Sequence, residues 1–480
     1  MTTADGGLTI AEAKNPVSME ALQMKVKIIV VMLVTLTLLA CSKGGNDSGA
    51  TSLTENSPFG IYSPYGEFQL DGGTFATTDD ISGYMQDLDV PWVQELPLYA
   101  GFDSIPAAFN IYSRVGREAG INSSNITDPT VAANYKTAVA QRIGKYKDRV
   151  KYWEVDTEPD GVGGWRNNPQ GYAELLKITY AAIKGECAEC KVLFGGLAGG
   201  QAALDTGSAA FLESVLQAGA AGYFDGIEFK RHHTASKDYA LIKVKYDSLG
   251  TILSNYGIDI QQMPVFVETG MYDGDPNDPV PNPLESGLLV QTEKEQAQGL
   301  IKTYVYGVTI GVDRIFWNFV YERSDYEPGH ATPFAQNPFN HYGLINNPTN
   351  NDGLSGKKLA YYTYKKMVEI LEGSDWNSIE RVRESGDVYI YKLMRNGTTV
   401  YAAWWDYFND STYTPGKTTT VSLTGLAGSS AIVTEVVPKF STGAEVTDYA
   451  TAFNKNTAVV SGGSVSLTLG DSPVFVEVTQ

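Results

Sequence analysis

The sequence predicts a (β/α)8 TIM barrel followed by a small C-terminal all-β sandwich. Strand-type and helix-type patterns alternate eight times over residues 59–373, and beyond Gly373 the helical period disappears. No glycine-rich phosphate turn follows the first strand, which argues against an open doubly wound sheet.

The elements follow in order. Phe-Gly-Ile-Tyr-Ser over 59–63 is the first strand, and an amphipathic stretch over 79–88 leads into the second, Val-Pro-Trp-Val-Gln-Glu-Leu over 90–96. The third strand covers 107–113. The helix over 129–146 repeats Val131, Tyr135, Val139 and Ile143 at helical spacing. Strands over 149–155, 191–196, 224–229, 264–268 and 312–319 then alternate with helices over 169–184, 209–218, 238–256 and 293–310, and a last helix over 357–371 closes the series. The region 374–480 holds short strand candidates such as Val388-Tyr-Ile-Tyr-Lys-Leu, Thr399-Val-Tyr-Ala-Ala-Trp-Trp, Thr418-Thr-Thr-Val-Ser-Leu, Ala431-Ile-Val-Thr-Glu-Val-Val and Ser464-Val-Ser-Leu-Thr-Leu, punctuated by Gly, Asn, Asp and Ser. The short junction at 373–375 favours a sandwich packed on the barrel over an independent carbohydrate-binding module.

The N-terminus carries an address. Met24-Lys-Val-Lys27 is basic, an apolar run follows, and Leu38-Leu-Ala-Cys41 ends it. The order suits a secretory signal, and the run is short for a membrane span. An anchor helix and a buried helix are the competing readings. Leu-Leu-Ala-Cys resembles the bacterial lipobox, which implies lipidation at Cys41 and an exported lipoprotein of the outer membrane, on its periplasmic or cell-surface face. Residues 1–41 are thus extension and signal, and 42–58, rich in Gly, Ser and Asn, form a flexible tether.

A net charge of −19 argues against a nucleic-acid partner. Cys187 and Cys190, in Cys-Ala-Glu-Cys, suit a structural disulfide in an exported chain, where a cytosolic redox protein would use such spacing for catalysis. No further Cys or His supports a zinc site. Asp273-Gly-Asp-Pro-Asn-Asp278 has the oxygen density of a calcium loop but not its spacing, so no metal and no cofactor are expected.

Two segments carry the chemistry. Val150-Lys-Tyr-Trp-Glu-Val-Asp-Thr-Glu158-Pro159 puts Glu158 just past strand four, and Met263-Pro-Val-Phe-Val-Glu268-Thr-Gly270 puts Glu268 at the end of strand seven. Carboxyl ends of barrel strands face one mouth, so two carboxylates can meet across it, as glycosidic cleavage requires. The plainer alternative is a loop cap at Glu158 and a barrel ion pair at Glu268. Trp165 in the glycine-rich loop after Glu158 suits a movable stacking platform, with Tyr272, Trp317 and Tyr321 similarly placed. His232 and His233, beside Lys230 and Arg231, suggest substrate contact or a positive patch for an anionic glycan; a solvated charge cluster is the alternative.

Trp153-Glu-Val-Asp-Thr-Glu158-Pro159 resembles the Trp-Glu-x-x-Asn-Glu-Pro acid/base segment of clan A glycoside hydrolases, and Pro264-Val-Phe-Val-Glu268-Thr-Gly270 resembles their nucleophile strand. Gly311-Val-Asp-Arg-Ile-Phe-Trp317-Asn318 resembles the eighth strand. Family 39 and family 5-like secreted hydrolases are the nearest in character. The resemblance implies a retaining β-glycosidase, monomeric and cofactor-free, with Glu158 as general acid/base and Glu268 as nucleophile. It also implies Thr157, Trp317 and Asn318 as sugar contacts. Departures from the clan fall in three places: Thr157 stands where it has Asn, Lys230 and His232 where it has His and Tyr, and Gln94 and Glu95 where strand two carries Arg. They favour an unusual glycan, or the alternative of a glycan-binding lipoprotein on an inactive barrel.

Overall fold

The computed structural model describes residues 55–62, 64–65, 78–96, 102–161, 164–198, 206–274, 290–322, 341–346 and 356–479. The signal segment, Cys41 and most of the tether lie outside these residues, as do 162–163 of the glycine loop and 275–278 of the aspartate-rich loop. Among the described residues no helix is long and apolar enough to cross a membrane.

Eight parallel strands close into a barrel in sequence order: β1 (Phe59–Tyr62), β2 (Trp92–Glu95), β3 (Asn110–Val115), β4 (Val150–Thr157), β5 (Lys191–Leu197), β6 (Gly226–Lys230), β7 (Val265–Thr269) and β8 (Arg314–Trp317). Among the described residues seven α-helices surround it: α1 (Thr78–Asp87), α2 (Pro129–Tyr146), α3 (Pro169–Glu186), α4 (Thr206–Val215), α5 (Leu241–Ser254), α6 (Glu293–Thr309) and α7 (Leu359–Leu371). The TIM barrel expected from the strand–helix alternation is therefore present. Helix α2 shows why the pattern is legible. Asp128 caps its N-terminus by accepting from Thr130 N and Val131 N, Pro129 needs no donor there, and Tyr135, Val139 and Ile143 are buried one turn apart.

The period of two along each strand builds the interior in layers. At the foot, the Arg314 guanidinium lies 4.7 Å from the Trp92 ring centroid and also faces Tyr152 and Phe266. Trp92, Tyr112, Leu193, Phe266 and Phe316 fill the middle. Two residues further along, the positions become polar: Trp92 gives way to Gln94, Tyr112 to Arg114, Tyr152 to Glu154, Phe266 to Glu268 and Phe316 to Asn318. A packed aromatic floor thus closes the barrel beneath a charged upper layer.

The sandwich has a six-stranded antiparallel sheet in the order β14-β13-β16-β11-β10-β9 and a two-stranded sheet, β12-β15. These strands are β9 (Glu380–Ser385), β10 (Val388–Arg395), β11 (Thr398–Trp405), β12 (Thr419–Thr424), β13 (Ser430–Glu435), β14 (Lys455–Val459), β15 (Ser464–Leu469) and β16 (Val474–Thr479). Alternate residues of β11 serve two cores. Val400, Ala402 and Trp404 join the barrel's hydrophobic core, while Tyr401, Ala403 and Trp405 pack within the sandwich. The foot is also occupied by chain expected to be tether: Ser57 is buried and donates to Glu372 Oε2 at 2.6 Å, and Glu55 O accepts from Arg314.

The barrel–sandwich interface holds one fully buried ion pair, Lys302 of α6 with Asp406 after β11, at 2.9 Å. The Tyr239 hydroxyl donates to the same carboxylate at 2.7 Å, and Tyr239, Tyr407 and Phe408 surround the ammonium. Removing one member strands a charge in an apolar setting. Asp406→Asn is expected to lower stability by about 3–5 kcal/mol, measured as a fall in denaturant midpoint.

Candidate active site

Strand β4 ends in a strained turn. Asp156 and Glu158 both adopt left-handed backbone conformations, with φ of 59° and 47°, costly for residues other than glycine. Asp156 is pinned there by Arg117 Nε at 2.9 Å, by the Trp165 indole N–H at 2.9 Å and by the Thr157 amide at 2.8 Å. Glu158 donates its amide to Gly196 O at 2.9 Å, and its side chain is half exposed. Gly164 follows from close packing, because a Cβ there would lie 2.7 Å from Glu158 O.

Glu268, near the end of β7, is buried. Asn318 Nδ2 donates to its Oε1 at 2.9 Å, and Lys230 Nζ lies 2.6 Å from its Oε2. Lys230 is paired with Glu268 in the β6–β7 register, and its ammonium also lies 3.5 Å from Glu158 Oε1. Those two contacts leave the facing carboxylate oxygens no more than about 6 Å apart. Burial opposes charge on Lys230, but Glu268, Tyr62 and Glu158 outweigh it and hold the ammonium protonated above the ordinary lysine range.

A second carboxyl pair lies deeper. Gln94 Nε2 is 3.4 Å from Glu154 Oε2 and from both oxygens of Glu228, and all three residues are buried. Arg114 Nε donates to Glu154 at 2.6 Å, whereas Glu228 receives the Tyr112 hydroxyl. Burial, then Glu154 and Glu268, pushes Glu228 well above the ordinary carboxylate range. Burial pushes Glu154 upward as well, and Arg114 and Lys230 oppose it there. Gln94 was singled out in the sequence as a departure, but Glu228, Arg114 and Tyr112 were not. The available signal was a polar residue at an inward position of a barrel strand.

Several residues expected at the sugar surface are instead packed inside. Trp317 is fully buried and donates its indole N–H to Tyr342 O at 3.0 Å, so it offers no open face as a subsite floor. Trp165 is buried too, tied to Asp156 rather than forming a movable platform. Tyr272 is enclosed in a cluster with Phe319 and Tyr342, and Tyr321 is buried against Tyr84. Asn318 touches Glu268, while Thr157 Oγ1 and Asn318 Oδ1 have no protein partner.

His232 and His233 form no positive patch. Both are buried; burial first, then Lys230 for His232 and Arg231 for His233, holds them down at about 3 and about 4. They are neutral at neutral pH. Between those values and 6.5 the unfolded chain binds protons that the folded chain does not, so stability rises with pH across that window. Lowering the pH from 6.5 to 5 is expected to cost on the order of 2 kcal/mol per histidine. The check is a denaturant midpoint that falls over this range, and falls less in His232→Gln/His233→Gln.

Asp273, Glu322 and His341 bring ligand atoms within 4.8 Å of one another. The buried Lys358 ammonium stands 2.6 Å from both Asp273 and Glu322, taking the place a cation would occupy. Lys358 and His341 outweigh burial and hold Glu322 at about 2. Cys187 and Cys190 are joined by a disulfide in the turn between α3 and β5.

No family model matches the sequence, and no curated protein matches it. Solved structures do. A family 39 glycoside hydrolase from the gut symbiont Bacteroides cellulosilyticus WH2 aligns with a TM-score of 0.59 at 16% identity, over 88% of this chain and 81% of that one. A 4-O-alpha-L-rhamnosyl-beta-D-glucuronidase from Fusarium oxysporum aligns at 0.56 and 13%, over 88% and 96%. AbfB, a family 51 alpha-L-arabinofuranosidase from Bifidobacterium longum, aligns at 0.55 and 12%, over 90% and 98%. The chain therefore has the fold of the clan A glycoside hydrolases.

Proposed function

We propose that the protein is a retaining glycoside hydrolase acting on a β-linked polysaccharide or oligosaccharide. The supporting observation is the approach of Glu158 and Glu268 to within about 6 Å across Lys230. Retaining enzymes set their carboxyl groups about 5–5.5 Å apart, whereas inverting ones need ~6.5–9.5 Å to admit a water. Glu268 attacks the anomeric carbon while Glu158 protonates the departing oxygen. Glu158 then removes a proton from the water that attacks the same carbon, and Glu268 leaves as a carboxylate. Asn318 and Lys230 hold one oxygen each of Glu268, stabilising the charge that returns to it. The Thr157 hydroxyl, where the clan has asparagine, is buried and has no protein partner. Neither half-reaction requires a cofactor.

One observation favours the alternative of a glycan-binding protein on an inactive barrel: Lys230 already contacts both carboxylates. A glycan panel with product detection separates the two. Turnover of any glycan supports the enzyme, and tight binding without turnover supports the binder.

The sequence around Cys41 supports a lipid-anchored, exported chain at the outer membrane. Expressed in a bacterial host, the protein is expected to partition into detergent and Cys41→Ser into the aqueous phase. Equal partitioning of the two removes the anchor.

A further inference from the structure

A cavity of about 230 Å³ lies at the mouth end of the barrel, where β3 and β4 give out. Its wall runs from Leu96, just past β2, through residues 114–118 to Asp156 and Thr157, with Arg142 of α2 completing it. Thr157 directly precedes Glu158, so the cavity adjoins the catalytic pair. The volume equals that of roughly seven waters at ~30 Å³ each. It suits one sugar ring or its substituent, not a length of polymer.

Three arginines line it, and each uses a single nitrogen on the protein. Arg114 Nε donates to Glu154 at 2.6 Å and Arg117 Nε to Asp156 at 2.9 Å, while Arg142 gives Nη1 to Glu118. The Nη1–Nη2 ends of Arg114 and Arg117, and Nη2 of Arg142, have no hydrogen-bond partner. Nor are the free nitrogens of Arg114 sealed from solvent, although its side chain is only 13% exposed. Arg142 is 20% and Arg117 69% exposed, so the three run from the depth of the cavity to its rim.

The acids on the same wall are satisfied where the bases are not. Asp156 accepts from Arg117, the Trp165 indole and the Thr157 amide. Glu118 accepts from Arg142 and from the Gly116 amide at 2.7 Å. A guanidinium held through Nε keeps its two-nitrogen edge for a second acceptor, and that fork matches an oxyanion in both shape and sign. The chain carries a net charge of −19, so three arginines converging here run against its overall sign. Among the described residues no aromatic ring lines the cavity, which removes the usual platform for the face of a neutral sugar.

We propose that this cavity is a subsite for an anionic group of the glycan, a uronate carboxylate or a sulfate ester, on a sugar bound beside the catalytic pair. The inference rests on the proposed action on a glycan and names its class, an acidic one. The free guanidinium nitrogens receive the oxygens of that group, and a neutral sugar in the same place leaves them unpaired.

The test uses the full chain carrying Glu268→Gln, titrated calorimetrically with tetrasaccharides of glucuronate, galacturonate and mannuronate and with their neutral methyl esters. A chondroitin tetrasaccharide with and without its sulfate separates sulfate from carboxylate. At least one acidic probe is expected to bind about tenfold or more tighter than its uncharged or desulfated form. Adding Arg117→Gln/Arg142→Gln is expected to remove most of that preference. The ratio of acidic to neutral binding is the readout, because looser packing alone lowers both alike. Should the glutamine pair fail a thermal melt, Arg117→Lys/Arg142→Lys is read in its place; it keeps the charge but loses the fork, and the preference again falls. Two results overturn the proposal: no acidic probe preferred over its counterpart, or a preference that these substitutions leave unchanged. Turnover of a neutral glycan by the unsubstituted chain, with no acidic preference, sinks the subsite and keeps the glycosidase. An acidic preference without turnover of any glycan does the reverse.

Discussion

Glu268→Gln is expected to abolish turnover, with kcat falling on the order of 10⁴-fold or more while glycan affinity is retained. The amide keeps the shape of the carboxylate and can still contact Asn318, but it cannot form the glycosyl-enzyme bond. Lys230 loses its nearer counter-ion in the exchange and keeps Glu158 at 3.5 Å. Some stability is lost with it, so the variant is compared by thermal melt before its kinetics are taken. A Glu268→Gln protein that is folded and cleaves at the native rate contradicts the assignment of the nucleophile.

Lys230→Met has the second-largest effect. The side chain is similar in length, but the ammonium that bridges the two carboxylates is gone. A preorganised charge aimed at the site where charge develops is worth about 10²–10³ in kcat, and a fall of that order is expected with KM much less changed. The same substitution leaves Glu268 buried with Asn318 as its remaining donor, and stability falls by about 3–5 kcal/mol. Kinetics and denaturant unfolding of one protein check both. If Lys230 instead blocks an inactive site, removing it leaves turnover at zero and improves glycan binding.

The barrel was legible because each strand is a short run of strand-forming residues between helical periods. Helix α2 has the bounds that its periodicity predicted, 129–146, since its cap and its buried stripe agree. Strands β9 and β14 escaped for a physical reason. They lie at the two edges of their sheet, and their mostly exposed residues, Glu-Arg-Val-Arg-Glu-Ser and Lys-Asn-Thr-Ala-Val, carry no apolar face to read. Strand β16, Val-Phe-Val-Glu-Val-Thr, was missed too, although its β-branched run was there to read.

The two glutamates could be picked out with the strands, since Glu158 directly follows the end of β4 and Glu268 is the last but one residue of β7. The role of Lys230 was not. Its ammonium meets Glu268 on the adjacent β7 and Glu158 beyond β4, two strands away around the closed ring, so the bridge is a property of topology. Trp165, Trp317 and Tyr272 show the opposite error. An aromatic residue at a strand end is compatible with a sugar platform and with packing alike, and in all three the ring is buried against neighbouring chain.

The configuration of the first-formed product tests the central claim most directly. On whichever glycan the panel turns over, proton NMR of the released sugar during the first minutes distinguishes the two anomers before mutarotation mixes them. Two carboxylates within about 6 Å predict that the substrate's anomeric configuration is retained. An inverted anomer would mean that a water, and not Glu268, attacks the sugar, and the account of this site would be wrong.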